Sequence, residues 1–342
     1  IISIIAYDTE AELLLPATKV GNGKLAKKQI SRLKANGSTA LFAGTQMGGE
    51  EVVKFLSRER VNRVVLLSDG IANVGPSSTE ELAQLGLKLA GRGIAVSTIG
   101  LGLGYNEDLM ARLADSSDGN HSFVERADQL AGIMSLELND ALAVVAQDVE
   151  LKLTFPKGVR PVRALGREAK FNGQVVSSTI KQLITGTERY VLIEVEVNPG
   201  LVQEELELAK VAIRYRDRDG ELTEASDRVL ARPASSQSEM KKSAVASVME
   251  SVVELVAREQ QELAIKLKDE GKEAQAARVM DNNNAYLRSN AIEFESAKLH
   301  SMEEKAKVDT AIIKKRGKGR DWSRTRKKMR KQAYGSKAQM AF

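Results

Sequence analysis

Arg63-Val64-Val65-Leu66-Leu67-Ser68-Asp69-Gly70-Ile71-Ala72-Asn73 is an apolar run that stops on a carboxylate and a glycine. Val64 to Leu67 are consecutive apolar residues, which suits a parallel strand covered on both faces better than one exposed on alternate sides. In open α/β sheets, ligands bind where such strands end. A carboxylate at that edge, followed by the permissive Gly70, can point into the crevice and offer oxygen to a hard cation such as Mg2+. Taken alone, Asp-Gly is also ordinary turn chemistry. The segments on either side weigh the reading toward a site.

Upstream, Asn36-Gly37-Ser38-Thr39-Ala40-Leu41-Phe42-Ala43-Gly44 places two hydroxyls before a segment that reads as a helix to about Arg58, so Thr39 is either a metal ligand or a helix N-cap. Together with Ser68-Asp69-Gly70 this stretch resembles the von Willebrand factor type A domain and its metal-ion-dependent adhesion site. That family builds its site from three loops: a first-strand Asp-x-Ser-x-Ser, a threonine in a Gly-Thr-Ala-like loop, and the aspartate of Thr-Asp-Gly. By resemblance Thr39 takes the second role and Asp69 the third, with Ser68 standing where the family usually has threonine. No Asp-x-Ser-x-Ser precedes Thr39, and Ile1-Ile2-Ser3-Ile4-Ile5-Ala6-Tyr7-Asp8 reads as the strand after the family's first helix. The expectation is therefore a fragment lacking the first strand and helix. Because Mg2+ prefers near-octahedral oxygen coordination, Thr39 and Asp69 alone would hold it, or Mn2+ or Ca2+, weakly or not at all.

A second glycine-rich segment sharpens the resemblance. Gly93 to Gly102 reads as another buried strand, and Gly100-Leu101-Gly102-Leu103-Gly104 lacks both the spacing of a dinucleotide fingerprint and a following Lys-Ser/Thr. Gly100 to Asp108, followed by Leu109-Met110-Ala111-Arg112-Leu113-Ala114, is similar to bacterial type A domains of calcium-activated-chloride-channel-like and inter-alpha-trypsin-inhibitor-heavy-chain-like proteins. Gly119 to Val124 would be the last strand and Ala127 to Leu142 the closing helix. Gly75 to Glu81 carries hydroxyl caps and early acids that open a helix running to about Arg92. This strand–helix alternation predicts an α/β domain over residues 1–146, with a doubly wound, mostly parallel sheet.

From Asp148 the pattern switches to strict alternation at Val149 to Phe155, Val175 to Ile180, Tyr190 to Val197 and Ala209 to Tyr215. Asn172-Gly173, Asn198-Pro199-Gly200 and Asp219-Gly220 separate these runs as turns, predicting a small antiparallel β-sandwich over 147–233. After a polar linker, residues 239–313 read helical. Val245, Val248, Met249, Val252, Val253 and Val256 form an apolar stripe there, and Gly271 and Asp281-Asn282-Asn283-Asn284 are expected to break the region into two or three helices. Residues 314–342 are overwhelmingly basic and are expected to be a disordered tail. Trp322 and Tyr334 would be available there for stacking, or for anchoring at an anionic membrane or nucleic-acid surface.

Composition limits the function classes. The chain has 342 residues, no cysteine and a formal net charge of +5, which removes disulfides and thiol catalysis and places it among soluble globular proteins. His121 reads as a satisfied strand residue, and His300 has no visible triad partner. The favoured expectation is a non-enzymatic interaction module whose cation completes its shell with a carboxylate from a protein partner. Its rivals are a metal-independent scaffold and a nucleotide-binding hydrolase. The resemblance also implies a bacterial, extracytoplasmic or membrane-associated setting.

Overall fold

The computed structural model describes residues 1–34, 37–57, 60–198, 205–317 and 319–339. Asn36, Arg58, Pro199, Gly200 and Lys318, which figure in the expectations above, lie outside them. The chain divides into one unit of Ile1–Val145 with Arg218–Gly220, and a second holding the rest.

The first unit opens with an antiparallel hairpin, β1 (Ile2–Tyr7) and β2 (Ala11–Thr18), followed by a surface helix α1 (Lys24–Ile30) and by α2 (Leu41–Val53). Helix α2 ends earlier than the sequence pattern suggests, and Phe55 and Leu56 beyond it are exposed. Strand β3 (Asn62–Ser68), helix α3 (Thr79–Ala90), strand β4 (Ile94–Leu101), helix α4 (Glu107–Ser116), strand β5 (His121–Val124) and helix α5 (Leu130–Leu142) then alternate. Strands β3, β4 and β5 run parallel in that order. Among the described residues they form a three-stranded sheet separate from the β1–β2 pair.

That separation corrects the reading of Val64 to Leu67 as covered on both faces. Strand β4 is buried from Ile94 to Gly100, but Val64 and Val65 are half-buried and Leu67 is 38 % exposed. The physical reason is that β3 pairs with β4 on one side, while on the other Leu67 faces a cleft of about 910 Å³ that β1 also lines. The core beneath is formed by Leu41, Leu66, Leu82, Ile94, Val96, Leu109, Met110, Leu113 and Phe123.

Local chemistry sets the helix starts. Ser78 Oγ accepts from Glu81 N–H at 3.2 Å while the Glu81 carboxylate accepts from Ser78 N–H at 3.0 Å, a reciprocal cap that opens α3. Asn106 Oδ1 caps α4 by accepting from Leu109 N–H at 3.2 Å. Arg63 and Glu137, only 8 % and 4 % exposed, pair at 3.1 Å and tie the start of β3 to α5.

The second unit begins with seven strands: β6 (Val144–Thr154), β7 (Val159–Leu165), β8 (Lys170–Asn172), β9 (Val175–Ile184), β10 (Leu192–Val197), β11 (Leu206–Arg216) and β12 (Leu222–Ala231). They form a five-stranded sheet in the order β12-β11-β6-β9-β8 and a two-stranded one, β10-β7. Gly173 and Gly220 take positive φ values of 58° and 83° at the expected hairpin turns, where a side chain would be strained. Helices α6 (Gln237–Ser243), α7 (Ala246–Asp269), α8 (Glu273–Glu293), α9 (Ala297–Ile313) and α10 (Arg320–Ala338) follow. No helix among the described residues is long and apolar enough to cross a membrane.

Three expectations for this region change. Asp281 to Asn284 do not interrupt a helix. They lie inside α8, where Asn283 Nδ2 donates to Ala257 O at 3.2 Å and Asn284 Nδ2 donates to Thr310 Oγ1 at 3.0 Å. Partners on α7 and α9 accept from the Nδ2 groups of these side chains, which takes the amides away from the local backbone and so weakens their preference for turns. The expected break at Gly271 is present, and the next falls at Glu295 rather than at the asparagines, both residues at positive φ. The valine stripe is only partly core, with Val253 fully buried but Val245 and Val248 60 % and 45 % exposed.

The segment expected to be a disordered basic tail is the nineteen-residue helix α10. Trp322, Met329, Ala333 and Tyr334 are buried along it, and Trp322 and Met329 join the helical core with Val253, Ile265, Met280, Leu287 and Leu299. Acids on α7 hold its cations. Asp269 accepts from Trp322 Nε1 at 3.2 Å and from Arg326 Nε at 2.8 Å, and Glu262 accepts from Lys337 Nζ at 2.7 Å. Burial of Trp322 and Tyr334 removes the rings expected to stack or anchor at an anionic surface.

Candidate functional site

The two residues singled out as ligands, Thr39 and Asp69, come from loops far apart in sequence and line the same cleft with Asp8, Ser38 and Ser68. Asn73 joins the two loops. Its Oδ1 accepts from Thr39 N–H at 2.7 Å, and its own N–H donates to Thr39 O at 3.2 Å. Such a pair fixes the Thr39 backbone from both sides, as one strand residue fixes another. A Cβ built on Gly70 would lie 3.0 Å from Thr39 Oγ1, so the glycine lets the hydroxyl approach the Asp69 loop.

Further contacts set each loop. Ala40 N–H donates to Asp8 O at 2.6 Å and Ser38 N–H to Thr9 Oγ1 at 3.2 Å, holding the Thr39 loop against the end of β1. Ser68 is buried and donates to Gly70 O at 3.2 Å, shaping the turn after β3. Gly104 lies against the same turn, where an added Cβ would stand 2.6 Å from Asp69 O. The Asp69 side chain is left exposed at the sheet edge.

Tyr7 connects β1 to β3. Its hydroxyl donates to Leu67 O, and its ring packs where a Cβ on Gly44 would lie 2.7 Å from Cδ1. Burial, with a smaller contribution from the Asp69 charge, pushes this phenol up to about 12, against a hydrogen bond from Ser68 that pulls it down. At neutral pH Tyr7 is therefore a neutral donor bridging the cleft.

In the glycine-rich segment Gly100 and Gly104 allow close packing, while Gly102 takes a positive φ of 68°. Gly100 lies within β4, and a Cβ there would stand 2.0 Å from the Tyr105 ring. His121 is fully buried behind the edge, with Nδ1 2.8 Å from Thr98 Oγ1 and its ring 6.1 Å from that of Tyr105. Asn73 and Tyr7 escaped the sequence reading as site residues. Asn73 closes the quoted stretch, and a turn amide three residues after a glycine was the available signal.

Oxygen donors on closely held loops suit a hard cation by type. Their number falls short of a closed shell: Thr39 and Asp69 are two side chains, and no group of three or more His, Cys, Asp or Glu able to hold a metal occurs among the described residues.

These features define a doubly wound α/β domain, with the Asp69 loop at the carboxyl end of parallel strand β3 and the Thr39 loop, between α1 and α2, held beside it. Residues 2–135 match the von Willebrand factor type A domain family, and the N-terminal part of the chain is a domain of that family. Over 171 residues, 49 % of this chain and 30 % of the other, the sequence is 29 % identical to the uncharacterized protein YfbK of Escherichia coli (strain K12). It is 27 % identical over 273 residues to the uncharacterized protein sll0103 of Synechocystis sp., covering 77 % of this chain and 64 % of that one. The chain thus spans less than two thirds of the length of these relatives. Among solved structures, a von Willebrand factor type A protein from Catenulispora acidiphila superposes with a TM-score of 0.65 at 18 % identity, over 89 % of this chain and 72 % of that one. The ArnB paralog VWA2 of Sulfolobus acidocaldarius gives 0.53 at 19 % identity, over 91 % and 76 %. Likeness at these identities concerns the fold, and it extends past the type A domain into the second unit.

Proposed function

We propose that this chain is a non-enzymatic protein-binding module. Thr39 and Asp69 contribute oxygens to a divalent cation, and an acidic side chain of a protein partner completes the shell. Type A domains commonly mediate protein–protein interaction, which gives the coarse reading its footing. The observation that carries the finer one is the pair of hydrogen bonds between Asn73 and the Thr39 backbone, which stitches the hydroxyl loop to the Asp69 loop at the strand edge. The open coordination is consistent with weak binding by this chain alone and with tighter binding when a partner carboxylate adds an oxygen. Exposure of Asp69, set against full burial of His121, favours binding over acid–base catalysis.

Calorimetric titration of Mg2+ and Mn2+ into the wild-type chain and into Asp69→Ala and Thr39→Ala tests this. Saturable binding that Asp69→Ala abolishes and Thr39→Ala weakens supports the cation site. Heat that is absent, or that Asp69→Ala leaves unchanged, makes Asp69 a turn residue. The rival, a metal-independent scaffold, draws on the incomplete donor set and then takes over.

A further inference from the structure

Strand β12 is the outermost strand of the five-stranded sheet among the described residues, bonded to β11 along one side. It is ten residues long, and its side chains are exposed from Glu224 to Leu230, including Val229 at 45 % and Leu230 at 50 %, with Leu222 at 49 % at its start. A long edge strand bearing exposed apolar residues is a template for another strand. What distinguishes β12 is the order of its side chains. Leu222, Glu224, Ser226, Arg228 and Leu230 share one face of the strand, and this series is self-complementary when read against itself in reverse.

We propose that β12 is a homodimerisation edge, pairing antiparallel with β12 of a second copy about a two-fold axis at Ser226. In this register Glu224 faces Arg228 of the second copy, Arg228 faces its Glu224, and Leu222 and Leu230 meet at both ends of the ladder. Such an interface is isologous, so every favourable pair occurs twice.

The sheet itself selects the register. Across one row, Glu150 on β6 faces Arg214 on β11, which faces Glu224 on β12. Arg228 of the second copy continues that alternation of sign. Along another row Lys210 faces Arg228, two like charges directly opposite, which is unfavourable in a sheet. Glu207 offsets them only at 3.9 and 3.7 Å, on a solvent-exposed surface. Glu224 of the second copy supplies the acid that this row lacks. Shifting the axis by half a residue sets Glu224 against Val229 and Arg228 against Ala225, and shifting it by a whole residue toward the C-terminus brings two copies of Asp227 together. A slip therefore loses the complementarity, which is how a strand register is specified.

The test is sedimentation equilibrium of the wild-type chain over a range of concentrations, with Glu224→Arg, Arg228→Glu and an equimolar mixture of the two. Wild type is expected to shift from monomer to twice the monomer mass as concentration rises. Each single variant sets like charges opposite each other twice and is expected to weaken the dimer at least about tenfold. In the mixture every facing pair has opposite signs, so dimers of mixed composition are expected to return, as they are for the double variant carrying both substitutions. Both positions are solvent-exposed, and unchanged far-ultraviolet circular dichroism confirms that the variants fold. A wild-type chain that stays monomeric overturns the proposal, as does a dimer that Glu224→Arg leaves intact or a mixture that does not reassociate. The pairing requires no divalent cation, so it and the Asp69 site fail separately.

Discussion

The Asp69 edge and helix α10 are both polar stretches that sequence reading takes for ligand-binding elements, and the structure treats them oppositely. At Asp69 the chain spends an asparagine, two glycines and a buried serine to hold one carboxylate in the open. Along α10 a denser set of charges lies over α7, with Asp269 and Glu262 paired to its cations and Trp322 and Met329 set into the core. Charge density is thus a poor guide to function. The informative feature is whether the surrounding structure neutralises a charge or leaves it presented.

The sharpest way to break this contrast is Trp322→Ala. If α10 is a core element, truncating a ring that is 4 % exposed costs about 3–5 kcal/mol, read as a lower urea midpoint with loss of helical circular dichroism. A free tail would show no change.

Asp309 on α9 gives a smaller effect of predictable sign. Burial raises its carboxyl from 3.8 to about 6, although Arg258 and Lys328 pull it the other way. Since the folded value lies above the unfolded one, the contribution is fully present below the unfolded value and is lost as pH rises through about 6. A shift of that size corresponds to at most about 3 kcal/mol. Unfolding free energies of wild type and Asp309→Asn, compared at acidic and neutral pH, should therefore differ, with the wild type losing stability relative to the variant as pH rises.

On the other side of the comparison, Asn73→Ala should cost about 1–2 kcal/mol through the loss of the bond to Thr39 N–H. Amide exchange is expected to quicken at Thr39 while the helical core is unaffected. If exchange at Thr39 does not change, the two loops are held by something other than Asn73.

Much of the first unit was legible because its signals are local. The apolar run of β3, the reciprocal Ser78–Glu81 cap and the glycine turns act within a few residues of themselves, so a linear reading finds them. Resemblance to the type A pattern singled out Thr39 and Asp69, and the fold brings the two to one cleft. Asn73 was not singled out, because its importance depends on a partner 34 residues away. The asparagines of α8 misled for the same reason: in isolation they favour turns, and only Ala257 on α7 and Thr310 on α9 make them helix residues.

By itself, then, the sequence determined the alternation of strands and helices, the switch to antiparallel strands near Asp148, within β6, and the type A character of residues 2–135. Periodicity and turn chemistry are carried by neighbouring residues and survive without the fold. Tertiary structure decided that Leu67 faces a cleft, that Trp322 is core and that α10 is a helix rather than a tail. Each of these depends on what a side chain meets across the chain, and burial and charge pairing exist only once distant segments have been brought together.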